Sequence, residues 1–189
     1  NKFNSNTNEW AVRTVWDITG VKPHVPTNRL IKAFDINHNT FVFVGNGKDS
    51  GGDHTVYAST HNNFSPQNFH PRTGLVMLPT NTGHFQIFDQ DHQAFFFVGN
   101  SVDNGGDRTV YACPQKDWKD YNDFMNRTSF TLIPAEDNLW IIIDKNHSSY
   151  LFVGNGKDDG GDHTVYSVPV NKYNNNPGEW TKRTLWYLA

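Results

Sequence analysis

The chain has 189 residues, of which 36% are hydrophobic and 14% aromatic, and a net charge of −3. That length suits one compact domain with a real core rather than two. The charge gives no electrostatic footprint for nucleic acid or an acidic membrane, and no apolar run approaches the ~20 residues of a bilayer span.

Taken in chain order, the first element is Trp10-x-x-Arg13-Thr14, which opens the strand pattern RTVWDI. The residues three and five after the arginine, Trp16 and Ile18, are large and apolar, the period-2 alternation of a half-buried strand. LIKAFDI (30–36) reads as the next strand. A short Asn/His turn leads from it into FVFVGN (41–46), which is hairpin chemistry. GNGKDSGGDHTVYA (45–58) then passes from a polar, glycine-punctuated loop into a further strand, TVYA. HNNFSPQNFHP (61–71) has the composition of a connecting loop. Phe69-x-x-Arg72-Thr73 follows, and the cycle begins again.

The glycine loop recurs as GNSVDNGGDRTVYA (99–112) and GNGKDDGGDHTVYS (154–167), a period of 54 and then 55 residues. Such a period decides the architecture. The turn recurs as FDINHNTF, FDQDHQAF and IDKNHSSY, each with an Asp and then a His three positions on: His38, His92 and His147. The aromatic-x-x-Arg-Thr marker occurs four times, at Trp10, Phe69, Phe124 and Trp180. No segment carries a convincing helical period.

The chain therefore reads as an all-β single domain of three tandem four-stranded antiparallel repeats, at approximately 12–67, 68–122 and 123–178, with a closing strand at 180–189. The first two strands of each repeat are the most continuously apolar and should be central, with the Arg-Thr strand nearer an edge. Such units describe β-propeller blades. They equally describe the leaves of a β-trefoil with pseudo-threefold symmetry, and a count of three favours the trefoil, since propellers typically use about four to eight blades.

The order of the markers resembles the blades of the tachylectin-type, N-acetylglucosamine-binding β-propeller lectins. The residues that carry the resemblance are Phe34-Asp35-Ile36-Asn37, Phe41–Val44, Val56-Tyr57 and Phe69-x-x-Arg72. In the last repeat they are Tyr166, Pro169 and Glu179-Trp180-x-x-Arg183. The resemblance implies a propeller that binds N-acetylated sugars. The units here are longer, by the length of the GGD loop, and a propeller of three blades would need a second chain to close, hence a homo-oligomer.

The repeated loop supports three readings. In the first it is a long hairpin in which Asp side chains bond to their own backbone. In the second it recognises sugar through fixed donors and acceptors, with Asn46, Asp49, Asp53 and His54 in the first loop. Asn100, Asp103, Asp107 and Arg108 stand in the second, and Asn155, Asp158, Asp162 and His163 in the third. Trp10 and Trp180 would supply aromatic platforms, and repetition would supply avidity. In the third reading Asp49 and Asp53, Asp103 and Asp107, and Asp158 and Asp162 are calcium ligands, since hard cations take oxygen donors, although the spacing is not that of an EF-hand.

His38, His92 and His147 read as polar caps of a turn, and as metal ligands only if a threefold axis gathers them. The aromatic-x-x-Arg-Thr marker reads as a structural stack of Arg on a ring, or as a ligand platform. Cys113 is alone, which excludes an internal disulfide and cysteine-based zinc sites. An opening Asn1 carries the expectation of a secreted protein, although simple trimming accounts for it equally well; the sequons at Asn126 and Asn146 are of a kind that arises often by chance.

An enzyme breaks the symmetry of its scaffold, and these loops keep theirs. A pair of carboxylates could hydrolyse a glycoside, but three equivalent pairs would be an unusual arrangement. The expected function is therefore a non-catalytic, multivalent lectin whose partners are glycans or glycoproteins. The alternatives are a calcium-binding or inhibitory scaffold, and then a glycan-degrading enzyme.

Overall fold

The computed structural model describes residues 26–189. The first unit contains strands β1 (Leu30–Ile31), β2 (Ala33–Asp35), β3 (Thr40–Lys48) and β4 (His54–Ser59), a short helix Pro66–Arg72, and β5 (Leu75–Pro79). The second contains β6 (Phe85–Asp89), β7 (Ala94–Val98), β8 (Arg108–Cys113), a helix Tyr121–Arg127 and β9 (Phe130–Pro134). The third contains β10 (Leu139–Asp144), β11 (Ser149–Lys157), β12 (His163–Pro169), helices Val170–Asn175 and Pro177–Arg183, and β13 (Leu185–Leu188). All four strand patterns read from the sequence are present in each unit. The first copy of the Arg-Thr marker, with Trp10, Trp16 and Ile18, lies outside the described residues.

The pairings between units correct the propeller expectation. Strands of a propeller blade pair within the blade. Here β5 pairs with β1 and with β6, β6 meets β9 at Phe85 and Phe130, β9 pairs with β10, and β10 pairs with β13. β13 then returns to β2, so the ring closes within one chain. Lys32, between β1 and β2, exchanges backbone hydrogen bonds of 2.7 and 3.1 Å with Ala189. The hairpins β3–β4, β7–β8 and β11–β12 stand off this ring, and their second strands pair with one another: His54 with Ala112, Arg108 with Ser167, and His163 with Ala58. A barrel capped by three hairpins about a pseudo-threefold axis is the connectivity of a β-trefoil.

The Arg-Thr strand is also not at an edge, because it is a barrel stave paired on both sides. Its residues three and five after the arginine point inward, as their alternation predicts. Leu75 and Met77, Phe130 and Leu132, and Trp186 and Leu188 are all buried. Burying side chains of this size contributes about 1.5–3 kcal/mol each. Trp186 satisfies its indole N–H with a 3.2 Å bond to the Leu151 carbonyl. The space left on the barrel axis is about 10 Å³, which leaves no room there for a ligand.

The helices were invisible to periodicity because each has only six or seven residues. Their signals are local. Pro66 and Pro177 sit in the first turn, where the missing N–H costs nothing. Asp120 caps the second helix by accepting from the Asp123 N–H at 2.9 Å. The aromatic-x-x-Arg-Thr marker is the last turn of this helix in every unit. Phe69, Phe124 and Trp180 are buried, and the hydroxyls of Thr73, Thr128 and Thr184 donate back to their carbonyls at 2.6, 2.7 and 3.0 Å. The arginines stack on strand phenylalanines: Arg72 over Phe43 at 5.1 Å, Arg127 over Phe97 at 4.9 Å and Arg183 over Phe152 at 4.8 Å. The structural reading of the marker therefore holds for its three described copies.

Thr128 tests this capping. Its buried hydroxyl also accepts from the Gln86 amide at 2.6 Å. Replacement by Val should cost about 1–3 kcal/mol in urea unfolding, because the buried Gln86 amide loses its 2.6 Å acceptor and the Phe124 carbonyl is left with only the Thr128 N–H. Thr128→Ser, which keeps the hydroxyl, should cost clearly less.

Candidate functional site

The repeated loop is built by its first aspartate. Asp49 Oδ1 accepts the N–H groups of Gly51 and Asp53 at 2.8 and 3.0 Å. Asp103 does the same for Gly105 and Asp107 at 2.8 and 2.9 Å, and Asp158 for Gly160 and Asp162 at 2.9 Å each. The backbone closes from the first Asp N–H to the second Asp carbonyl at 2.8, 2.8 and 2.9 Å. Gly52, Gly106 and Gly161 take φ of +90°, +83° and +84°, which only glycine adopts without strain. Gly45, Gly99 and Gly154 lie beneath tyrosine rings, and a Cβ there would meet Tyr57, Tyr111 or Tyr166 at 2.7–2.8 Å.

Several residues expected to face a sugar also hold the units together. Asn155, Asn46 and Asn100 accept from Nε2 of His38, His92 and His147 at 3.1, 3.2 and 3.2 Å, and each of these bonds crosses from one unit to another. The same histidines place their backbone N–H and Nδ1 on a single oxygen of Asp35, Asp89 and Asp144, at 2.7–2.9 Å. The cap reading of these histidines is the one that the geometry gives. They stand at three separate junctions between units, not on a common axis. His54 and His163 are buried, with Nδ1 2.8 Å from the Gly45 and Gly154 carbonyls, and their rings lie tilted against those of His92 and His38 at 4.7 Å. Arg108 takes the equivalent place in the second unit and is half-buried. Trp180 is 4% exposed and packs edge-on against Phe152 beneath Arg183 and Lys172, so its ring is not an open platform. Trp10 lies outside the described residues.

The second aspartates stand apart, since their side chains are not used to build the loop. Asp107 is bound by Lys172, whose Nζ lies 2.8 Å from both carboxylate oxygens and 2.9 Å from the Gly105 carbonyl. Burial raises the pKa of Asp107, and the lysine works against that shift. Asp53 lies against Cys113. Burial and this carboxylate push the Cys113 thiol up to about 12, so the cysteine is an inert packing group. Among the described residues the Asp162 side chain has no partner.

Two grooves flank this feature. One, of about 400 Å³, runs between the second and third loops and is lined by Asp107, Phe152, Lys157, Asp158, Tyr166 and Arg183. The other, of about 460 Å³, lies across Lys172 and is lined by Asn176, Glu179, Trp180 and Arg183. The GGD loop and the ring–arginine stack are therefore walls of one groove rather than rival locations. For calcium, the first aspartate of each pair already spends an oxygen on two backbone amides. Among the described residues no group of three or more His, Cys, Asp or Glu side chains gathers to hold a metal. Lys172 was missed by sequence because it has no counterpart in the other units and lies in the Asn-rich stretch NKYNNN read as a loop.

The fold and loops define a pseudo-threefold β-trefoil with three near-identical surface loops. No family model matches the chain, and no curated protein does. Solved structures do match. A Caenorhabditis elegans protein of unknown function is 12% identical, with a TM-score of 0.68 over 89% of this chain and 97% of that one. The designed threefold-symmetric protein ThreeFoil is 13% identical, with a TM-score of 0.56 over 85% and 97%. An exo-β-1,3-galactanase from Clostridium thermocellum is 10% identical, with a TM-score of 0.61 over 88% of this chain and 31% of the enzyme. At such identities the likeness is one of fold alone.

The Asp–His junctions make a pH prediction. Burial raises the pKa of Asp144, outweighing the bonds from His147, and Asp89 behaves likewise. A carboxyl with a raised folded-state pKa binds its proton more readily folded than unfolded, so it adds stability as pH falls through that value and loses it as pH rises. In urea unfolding, the wild type should therefore gain on Asp144→Asn as pH is lowered from neutral into the carboxylate range. A pH-independent difference between the two would contradict the assignment.

Proposed function

We propose that the chain is a non-catalytic, multivalent carbohydrate-binding protein, with its sites at the GGD loops. The observation that carries this reading is a rigid loop built three times, with its second aspartate left over from the building. Sugar hydroxyls need fixed acceptors and donors at a surface that has already lost its freedom, and loops pinned by Asx bonds and a stacked Tyr–Phe–Arg root provide them. Weak single sites repeated on one barrel gain by avidity. The marker order shared with tachylectin-type lectins supports the same ligand class. So does the galactanase among the structural likenesses, as an analogy of fold only. The carboxylates support a non-catalytic reading: the first of each pair is engaged as an acceptor of two loop amides and Asp107 is paired with Lys172, which leaves at most one unpaired carboxylate per loop where glycoside hydrolysis needs two.

A glycan array with the whole chain, run with calcium and again with EDTA, tests the reading. Selective binding of a sugar class is expected, and its survival in EDTA would assign recognition to direct hydrogen bonds. Asp162→Asn should weaken that binding about tenfold, the loss of a charge-assisted hydrogen bond, and leave the unfolding midpoint unchanged. A stability change without a binding change, or silence on the array from folded protein, would return the loops to a purely structural role.

A further inference from the structure

The three loops share one conformation, but only the second aspartate of the second loop is paired with a cation; Asp53 lies against the neutral Cys113 thiol and Asp162 has no partner among the described residues. Lys172, from the helix Val170–Asn175, brings its ammonium to both oxygens of Asp107 and to the Gly105 carbonyl, 5.1 Å over the Trp180 ring. Carboxylate, carbonyl and ring face together are how a protein holds an organic ammonium ion. The lysine does not shape the loop. A Cβ built on Gly51, Gly105 or Gly160 would lie 3.7, 3.7 and 3.8 Å from Oδ2 of Asp53, Asp107 and Asp162, and 3.2 Å from Oδ1 of the first aspartate in every copy. The second carboxylate is therefore aimed alike with and without an ammonium in place.

The positions that answer to Lys172 differ. Counting from the TVY strand, the first unit has Asn63 and the second has Asp117. Each loop reaches toward the following unit, as the strand pairings require. The third loop thus faces Asn63, whose amide is turned to Ser59 at 2.7 Å, and the first faces Asp117. Neither position supplies a cation.

We propose that the third and first GGD loops are recognition sites for a primary ammonium group, held by the Asp162 carboxylate with the Gly160 carbonyl and by Asp53 with Gly51. The second loop is the same site closed by the chain's own Lys172. The ligand carries its amine on an amino sugar or on a lysine side chain. The amino-sugar source rests on the carbohydrate reading above, and the ammonium contact itself does not.

Carboxylate-detected NMR titrations of the full chain test this with glucosamine, Nα-acetyl-lysine methylamide and, as the neutral control, N-acetylglucosamine. In the wild type, Asp162 and Asp53 should respond to the amines about tenfold more tightly than to the control, and Asp107 should not respond. Lys172→Ala should make Asp107 responsive, with Lys172→Gln as the second variant should Ala unfold the helix, and Asp162→Asn should silence the third loop alone. A response to glucosamine only assigns an amino sugar, and a response to both amines or to the lysine probe alone assigns lysine as sufficient. Equal response to N-acetylglucosamine overturns the ammonium site and leaves the sugar reading standing. No response to either amine, or an unresponsive Asp107 after Lys172→Ala, also overturns it, while the glycan array decides the sugar reading separately.

Discussion

The arrangement depends on a buried carboxylate at the end of the first strand of each unit. Asp35, Asp89 and Asp144 are fully buried, and each holds the backbone and ring of the histidine three residues on. That one oxygen fixes the hairpin turn and orients the imidazole. The other ring nitrogen then reaches the asparagine at the root of a neighbouring unit's GGD loop. Desolvating a carboxylate is expensive, and burial raises Asp89 and Asp144 in consequence. The structure meets that cost at a junction where one side chain sets both a local turn and a contact between units. Whatever the loops bind, their position is inherited from this chain of Asp, His and Asn.

Such a junction also explains how a barrel without a ligand cavity can present a functional surface. The interior is filled by the inward residues of the staves, so specificity has to be built outside. The hairpins carry it there, and their second strands pair around the pseudo-threefold axis so that each loop lies against the next unit. Each groove has walls from two units, with a GGD loop on one side and the cap helix of the following unit on the other. A change in one unit's helix therefore alters its neighbour's site, which is how Lys172 of the third unit comes to fill the loop of the second.

Much of this was legible in the sequence, and the reasons are local. The repeat period, the strand patterns and the inward placement of Leu75, Met77, Phe130 and Leu132 follow from alternation within a few residues. Blade and leaf could not be told apart from the strands, because that choice lies in which distant strands pair, and β5 finding β6 leaves no mark on either sequence. The two-turn helices escaped because Pro66, Asp120 and Pro177 signal a start without enough length to show a period. His54 and His163 read as ligand contacts from sequence and are buried on the protein's own carbonyls, because the same polar groups that recognise sugars also recognise protein backbone.

That overlap sharpens what repetition means here. A polar residue repeated three times can be repeated for the fold. Asp49, Asp103 and Asp158 are, because each satisfies two loop amides that nothing else reaches. Asp53, Asp107 and Asp162 are not explained in this way. Their backbone closes the loop, which any residue could do, while the half-buried carboxylate stands at the same distance from the loop glycine in all three copies. An amide in that place would leave the backbone closure of the loop intact, yet the three units carry the acid. In one unit that acid meets a lysine with good geometry. The physical question posed by the other two is what cation or donor completes them.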